Sequence, residues 1–175
     1  TGALEVFDLT VDYDLELMEE SQSLSDLTAR AVTGITRIIE KEEPDLVLVQ
    51  GDTTTAFVGA LSGFYHGVAV AHVEAGLRSG DKTNPFPEEI NRKLTDSLSD
   101  LLFAPTKGSK KNLLNENYPE ESIFVTGNTV IDALLEIDNS IEIGEIKPTY
   151  PIDITKFIEG EKKLVLVTAH RRESL

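Results

Sequence analysis

The chain has no cysteine among its 175 residues. Disulfides, thiolate nucleophiles and cysteine-ligated zinc are therefore excluded together, and any chemistry rests on carboxylates, imidazoles or hydroxyls. Positive charge is also scarce. Sixteen basic against 31 acidic residues leave a formal charge of −15, a field that repels a nucleic-acid backbone and argues against such a partner. An anionic ligand would have to be held locally, by helix N-termini and a few Arg or His residues. No apolar run approaches the roughly 18 to 20 residues that a membrane helix needs. The start, Thr1-Gly2-Ala3-Leu4-Glu5, lacks the basic segment leading into an apolar core that marks a secretory signal. A cytoplasmic protein with no membrane partner is expected.

What is present suffices for a core of ordinary size, with 40% hydrophobic and 27% charged residues. The chain starts without Met and stops at His170-Arg171-Arg172-Glu173-Ser174-Leu175, directly after an apolar run, as expected of a piece of a longer protein. Residues 1–24 mix acids and apolars without clean periodicity and read mostly as loop with a possible edge strand. Over residues 25–42, Leu27, Ala31, Ile35, Ile38 and Ile39 follow a helical period behind Ser25 or Asp26 as cap, and Pro44 ends the pattern.

Residues 45–50 form a short apolar run, as expected of a strand covered on both faces. Gly51-Asp52-Thr53-Thr54-Thr55 then turns the chain into an apolar helix ending near His66-Gly67. Strands are expected over 68–73, 101–104 and 122–126. Helices are expected over 87–100, 106–117 and 127–137, the first with Pro87 at its first position and acids in its first turn. This alternation predicts an α/β fold, a doubly wound, Rossmann-like parallel sheet with helices on both faces. Residues 1–138 are expected to form most of one domain, 139–160 a linker, and 161–175 the start of a second domain opening with a strand over 163–168.

In open parallel sheets, ligands sit beyond the carboxyl ends of the strands. Those ends carry Gln50-Gly51-Asp52, His72-Val73-Glu74, Pro105-Thr106, Gly127-Asn128 and, in the second domain, His170-Arg171-Arg172. Each candidate also has a purely structural reading. Asp is a favoured helix cap, so Asp52 could simply start the threonine-led helix. Glu74 is harder to dismiss, because a carboxylate leaving a buried strand is costly unless paired or working. Helix electrostatics account for one of Glu88 and Glu89. His72 shares a face with Glu74, yet a buried, hydrogen-bonded histidine explains it. His170 reads as an anion-binding end or as a solvated basic turn. No G-x-G-x-x-G turn and no H-E-x-x-H spacing occurs, so neither a dinucleotide nor a metal is expected.

Five ordered motifs, V-Q-G-D-T-T-T (49–55), H-V-E-A-G-L-R-S (72–79), P-F-P-E-E-I-N-R (85–92), V-T-G-N-T-V-I-D-A-L (125–134) and V-T-A-H-R-R-E-S (167–174), closely resemble the non-hydrolysing UDP-N-acetylglucosamine 2-epimerases. The resemblance implies two Rossmann-like domains facing across a cleft, in a glycosyltransferase-B-like architecture. It implies interconversion of UDP-N-acetylglucosamine and UDP-N-acetylmannosamine, by elimination of UDP to a 2-acetamidoglucal and re-addition, in a homodimer serving polysaccharide biosynthesis. No cofactor is implied. By motif position, Asp52, Glu74 and Glu88 are the family's acid/base carboxylates, His170 belongs to its catalytic and diphosphate contacts, and Arg92 to substrate binding. Removing a C2 proton and returning one to the opposite face calls for more than one such group. The alternatives are a hydrolysing epimerase releasing N-acetylmannosamine, or a fragment serving only folding or dimerisation. The family's opening G-T-R-P-E-A-I-K turn and its glycine-rich S-G-G segment have no counterpart here, and Ser21 stands before Gln22 where bacterial members carry an Arg-Gln pair tied to activation.

Overall fold

A computed structural model of the chain describes residues 2–19, 21–148, 165 and 167. The chain divides into two compact units, Thr1–Asn128 and Thr129–Leu175. In the first unit a short helix, α1 (Gly2–Val6), leads into an irregular segment and then α2 (Leu24–Glu42). No strand occurs among the described residues of 1–24, where an edge strand was a possibility. Side chains pin this segment to α2 instead: the Arg30 guanidinium donates to the Leu17 carbonyl at 2.7 Å, and the Tyr13 hydroxyl meets Lys41 and Glu42. The cap of α2 is Ser23, whose Oγ accepts from the Asp26 N–H at 3.1 Å, slightly ahead of the expected Ser25 or Asp26. At the other end Glu43 turns left-handed at φ 46° and returns its N–H to Ile39, just before Pro44.

Four parallel strands follow, β1 (Leu46–Gln50), β2 (Ala69–Val73), β3 (Leu101–Ala104) and β4 (Ile123–Val125), lying in chain order β1-β2-β3-β4. The connecting helices are α3 (Thr54–Tyr65), α4 (Glu88–Leu98) and α5 (Lys107–Asn115). Pairing puts Val47 beside Val70, Val49 beside His72, and His72 beside Leu102, so these side chains share one face. On that face Val49 and Val70 pack against Ala56 and Ala60 of α3, His72 meets Asp96 of α4, and Leu102, Ala104 and Ile123 pack with Leu113 of α5. All three crossover helices therefore cover the same side. This follows from right-handed crossovers between strands that never reverse order.

The α/β class and the parallel sheet are as expected. Among the described residues of this unit the other face is left open, with Leu48 61% exposed and Phe124 45% exposed. Close approach of α3 to the strands relies on glycine. A Cβ on Gly59 would stand 2.9 Å from Val49 Cγ1, and one on Gly63 2.9 Å from Val70 Cγ2.

In the second unit, α6 (Thr129–Glu142) runs past the expected end at Ile137 and into the expected linker. Asp138 and Asn139 do not stop it, and the turn comes at Gly144 with φ 80°. The strand expected over 163–168, apart from Val165 and Val167, and His170 lie outside the described residues.

Candidate active site

β1 and β2 end side by side, and their register sets the site. Gln50 pairs with Val73, so Gly51 comes opposite Glu74, with Asp52 one residue beyond. Gly51 takes a left-handed φ of 74° and donates its N–H to the Val73 carbonyl at 3.0 Å. Glu74 has φ 76°, a region that non-glycine residues occupy rarely. Its own N–H and that of Ala75 both donate to the Phe103 carbonyl, at 3.0 and 3.1 Å, which fixes the bend. Strained backbone of this kind persists where the surroundings over-determine it, and it gathers at working sites. The bend carries the half-buried Glu74 carboxylate back over the first turn: a Cβ on Gly51 would stand 3.8 Å from its Oε2. Its Oε1 accepts from Asn128 Nδ2 at 3.4 Å.

Asp52 does not cap α3. Thr53 does, its hydroxyl accepting from the Ala56 N–H at 3.2 Å, which leaves the Asp52 carboxylate for other partners. α4 supplies them. Arg92 Nη2 meets Asp52 Oδ2 at 2.5 Å, and Asn91 Nδ2 donates to the Asp52 carbonyl at 3.0 Å. The same guanidinium reaches Glu89 Oε2 at 3.4 Å, while its Nε, also buried, has no partner among the described residues.

The two glutamates at the start of α4 part company. Glu89 is fully buried and receives the Ser79 and Gly80 N–H groups at 3.0 and 3.3 Å. Burial alone would push this carboxyl up, but those two backbone donors and Arg92 outweigh it and hold Glu89 below the usual glutamate range. Glu89 is thus a clamp for the 79–80 loop. Glu88 is half-buried and makes no hydrogen bond or ion pair to the described residues. Pro87 is the cap residue of α4 rather than its first helical residue.

Behind the rim lies a buried polar chain that sequence reasoning missed. His72 and Asp96 are both fully buried, with Nδ1 and Oδ1 2.6 Å apart, and His72 Nε2 donates to the Gly51 carbonyl at 2.8 Å. Asp96 Oδ2 accepts from the Gly76 N–H at 3.2 Å and meets Arg78 Nη2 at 2.8 Å. Arg78 grips Glu116 with two bonds, at 2.8 and 2.6 Å. Burial would lower the Arg78 pKa, but Glu116 and Asp96 together hold it well above its ordinary value. Arg78 in turn holds Glu116 below the usual glutamate range. The histidine is therefore satisfied, as the structural reading anticipated. The one signal that could have found its partner is the polar series Glu89, Asn91, Thr95, Asp96 at helical spacing, which forms the buried face of α4.

The structure thus brings Asp52, Glu74 and Arg92 to one rim with Glu88 at the head of the adjoining helix, and His170 lies outside the described residues. Among the described residues no group of three His, Asp or Glu is arranged to hold a metal ion. Chemically the two strand-end carboxylates differ. Asp52 is ion-paired to a guanidinium, whereas Glu74 accepts from the Asn128 amide and makes no ion pair to the described residues.

A family model described as UDP-N-acetylglucosamine 2-epimerase matches residues 2–175. The chain is 49% identical over 172 residues to the UDP-N-acetylglucosamine 2-epimerase of Bacillus subtilis, covering 98% of this chain and 43% of that protein. Among solved structures it resembles the UDP-GlcNAc 2-epimerase of Neisseria meningitidis bound to UDP-GlcNAc, with TM-score 0.77 and 47% identity over 82% of this chain and 39% of that one. It also resembles an S. aureus protein solved with UDP, with TM-score 0.82 and 44% identity over 98% of this chain and 43% of that one. The chain spans 43 to 46% of the length of the curated relatives it matches.

Proposed function

The chain belongs to the UDP-N-acetylglucosamine 2-epimerase family, and from that premise we propose that it forms the N-terminal part of an enzyme interconverting UDP-N-acetylglucosamine and UDP-N-acetylmannosamine. A carboxylate removes the C2 proton, the C1–O bond breaks with its electrons leaving on UDP, and 2-acetamidoglucal forms. A UDP oxygen then adds back to C1 while a proton is delivered to the other face of C2. The observation that carries this reading is the placing of Asp52 and Glu74 on adjacent strand ends, one ion-paired and one without an ion pair among the described residues.

In this reading Asp52, Glu74 and Glu88 move or stabilise protons at the sugar, Arg92 orients Asp52, and His170, by its motif position, serves the departing diphosphate. Proton transfers of this kind contribute roughly 10² to 10⁴-fold each. Negative charge developing on the leaving UDP would be met by His170 and helix N-termini. Residues 1–138 then belong to the first of two Rossmann-like domains, 139–160 connect them, and 161–175 open the nucleotide-binding domain. The family resemblance further supports a cytoplasmic homodimer that supplies polysaccharide biosynthesis.

The test is to incubate the full-length protein with UDP-N-acetylglucosamine in deuterated water. Deuterium at C2 together with the mannosamine epimer of the UDP-sugar is the expected result. Free N-acetylmannosamine with UDP would identify the hydrolysing reaction instead, and no exchange at all would overturn the proposal. Calorimetric titration of the 175-residue chain with UDP addresses the folding-module alternative, which tight binding would refute.

A further inference from the structure

We infer that Asp96 and His72 act as a positioning pair for the two strand-end carboxylates, with His72 carrying a proton on each ring nitrogen. The inference rests on the reading of Asp52 and Glu74 as the working groups. It starts from a donor count. The Gly51 carbonyl can only accept, so His72 Nε2, 2.8 Å away, bears a hydrogen. Nδ1 faces the Asp96 carboxylate at 2.6 Å. The other carboxylate oxygen already receives the Arg78 guanidinium at 2.8 Å and the Gly76 N–H at 3.2 Å, so Asp96 stands among donors as an acceptor on both oxygens. The second hydrogen therefore sits on Nδ1, and both ring nitrogens donate. An ionised pair in which both ring protons and both carboxylate oxygens are engaged is the arrangement in which burial of both partners is tolerable.

The consequence is geometric. One buried carboxylate on α4 holds two turns at once. Through His72 it holds the Gly51 carbonyl, and so the turn that presents Asp52. Through Gly76 and Arg78 it holds the segment directly after Glu74. Gly76 itself is pressed into place, since at φ 83° a Cβ there would stand 2.5 Å from the Ser109 carbonyl oxygen. Asn91 and Arg92 of the same helix fix the Asp52 carbonyl and carboxylate. The spacing between Asp52 and Glu74 is thus set by three side chains of α4, Asn91, Arg92 and Asp96, together with His72 of β2, and of these Asp96 and His72 never reach the rim. A change there shifts the reacting groups without removing a contact to the sugar. It is expected to act on kcat rather than on KM, because small misplacements of positioned groups cost about a hundredfold in rate.

Two measurements on the full-length protein test the pair. In the first, nitrogen NMR of wild-type protein labelled with ¹⁵N-histidine is expected to show His72, assigned by its loss in His72→Gln, with protons on both ring nitrogens. A single protonated nitrogen would overturn the pair, and this reading needs no activity. In the second, Asp96→Asn keeps the shape of the residue and removes its charge. C2 exchange is expected to fall about a hundredfold in kcat with KM within about threefold of wild type. A folded Asp96→Asn protein with wild-type kcat, or one whose loss lies wholly in KM, would refute the positioning role. If wild-type protein shows no C2 exchange, the proposed reaction fails, and the NMR result still decides whether the ionised pair exists.

Discussion

α3 and α4 lie on the same face of the same sheet but are held there by opposite chemistry. The buried residues of α3 are Ala56, Val58, Gly59, Ala60, Ser62 and Gly63, so the helix settles onto Val47, Val49 and Val70 by being small. The buried residues of α4 are Glu89, Asn91, Thr95 and Asp96, while its Ile90 and Leu94 are 38% and 42% exposed. α3 secures the sheet by packing. α4 secures the strand-end rim by hydrogen bonds and ion pairs. A sheet can be held by non-directional burial, but carboxylates that must keep a fixed separation call for directional contacts, and those force polar groups into the interior.

The sharpest way to break this contrast is to remove a partner on the polar side. Asp96→Ala removes the shared carboxylate from His72 Nδ1, the Arg78 guanidinium and the Gly76 N–H, and is expected to cost about 3–5 kcal/mol in denaturant unfolding. A loss under about 1 kcal/mol would mean that the network is not integral to the fold.

On the packing side, Gly63→Ala sets a methyl 2.9 Å from Val70 Cγ2 and 3.3 Å from the Val47 side chain. It is expected to destabilise by about 1–3 kcal/mol with activity per folded molecule unchanged, since Gly63 is remote from the rim. Unfolding midpoints alongside active-site titration check both halves of that expectation.

The exception on α3 sharpens the rule. Ser62 is fully buried and its hydroxyl has no partner among the described residues. Ser62→Ala is therefore expected to be neutral or to stabilise by up to about 1 kcal/mol, because an unsatisfied buried hydroxyl is a net cost. Destabilisation by the same amount would show that the hydroxyl has a partner.

The smallest effect concerns acid. Glu89 is held below the usual glutamate range by the Ser79 and Gly80 N–H groups and Arg92 against the opposing effect of burial, and Glu116 by Arg78. A carboxyl whose folded pKa lies below its unfolded value contributes stability that is present above the unfolded value, about 4.3, and is lost as pH falls through the folded one. Unfolding midpoints are expected to drop as pH is lowered through that window, and to drop less in Glu116→Gln. An equal drop in the variant would show that Glu116 is not among the groups responsible.

Much of the sheet was legible from four short apolar runs, and the rim followed from asking what stood at their ends. Asp52 and Glu74 were found that way, since strand ends converge whatever the helices do. α4 was legible as a helix but not as an anchor. A 3.6-residue pattern is normally read by assuming that its apolar stripe faces inward, and here Glu89, Asn91, Thr95 and Asp96 take that place. Which of Glu88 and Glu89 was structural depended on the loop at Ser79 and Gly80, a contact ten residues away that no local pattern encodes. The single-sided cover was also hidden, because alternation of strands and helices specifies crossovers but not strand order. The segment before α2 reads mostly as loop and is so beyond α1, and the possible edge strand is not found among its described residues because its order comes from individual contacts, such as Arg30 to the Leu17 carbonyl, rather than from a ladder.

The central claim is that Glu74, bent back over Gly51 and without an ion pair among the described residues, is a working carboxylate at the sugar's C2. The most direct test is the rate of C2 deuterium incorporation into UDP-N-acetylglucosamine by full-length protein carrying Glu74→Gln, which keeps the side chain's shape and its capacity to bond Asn128. The account predicts a fall of roughly 10² to 10⁴-fold with an unchanged unfolding midpoint. Exchange at the wild-type rate in a folded Glu74→Gln protein would contradict it.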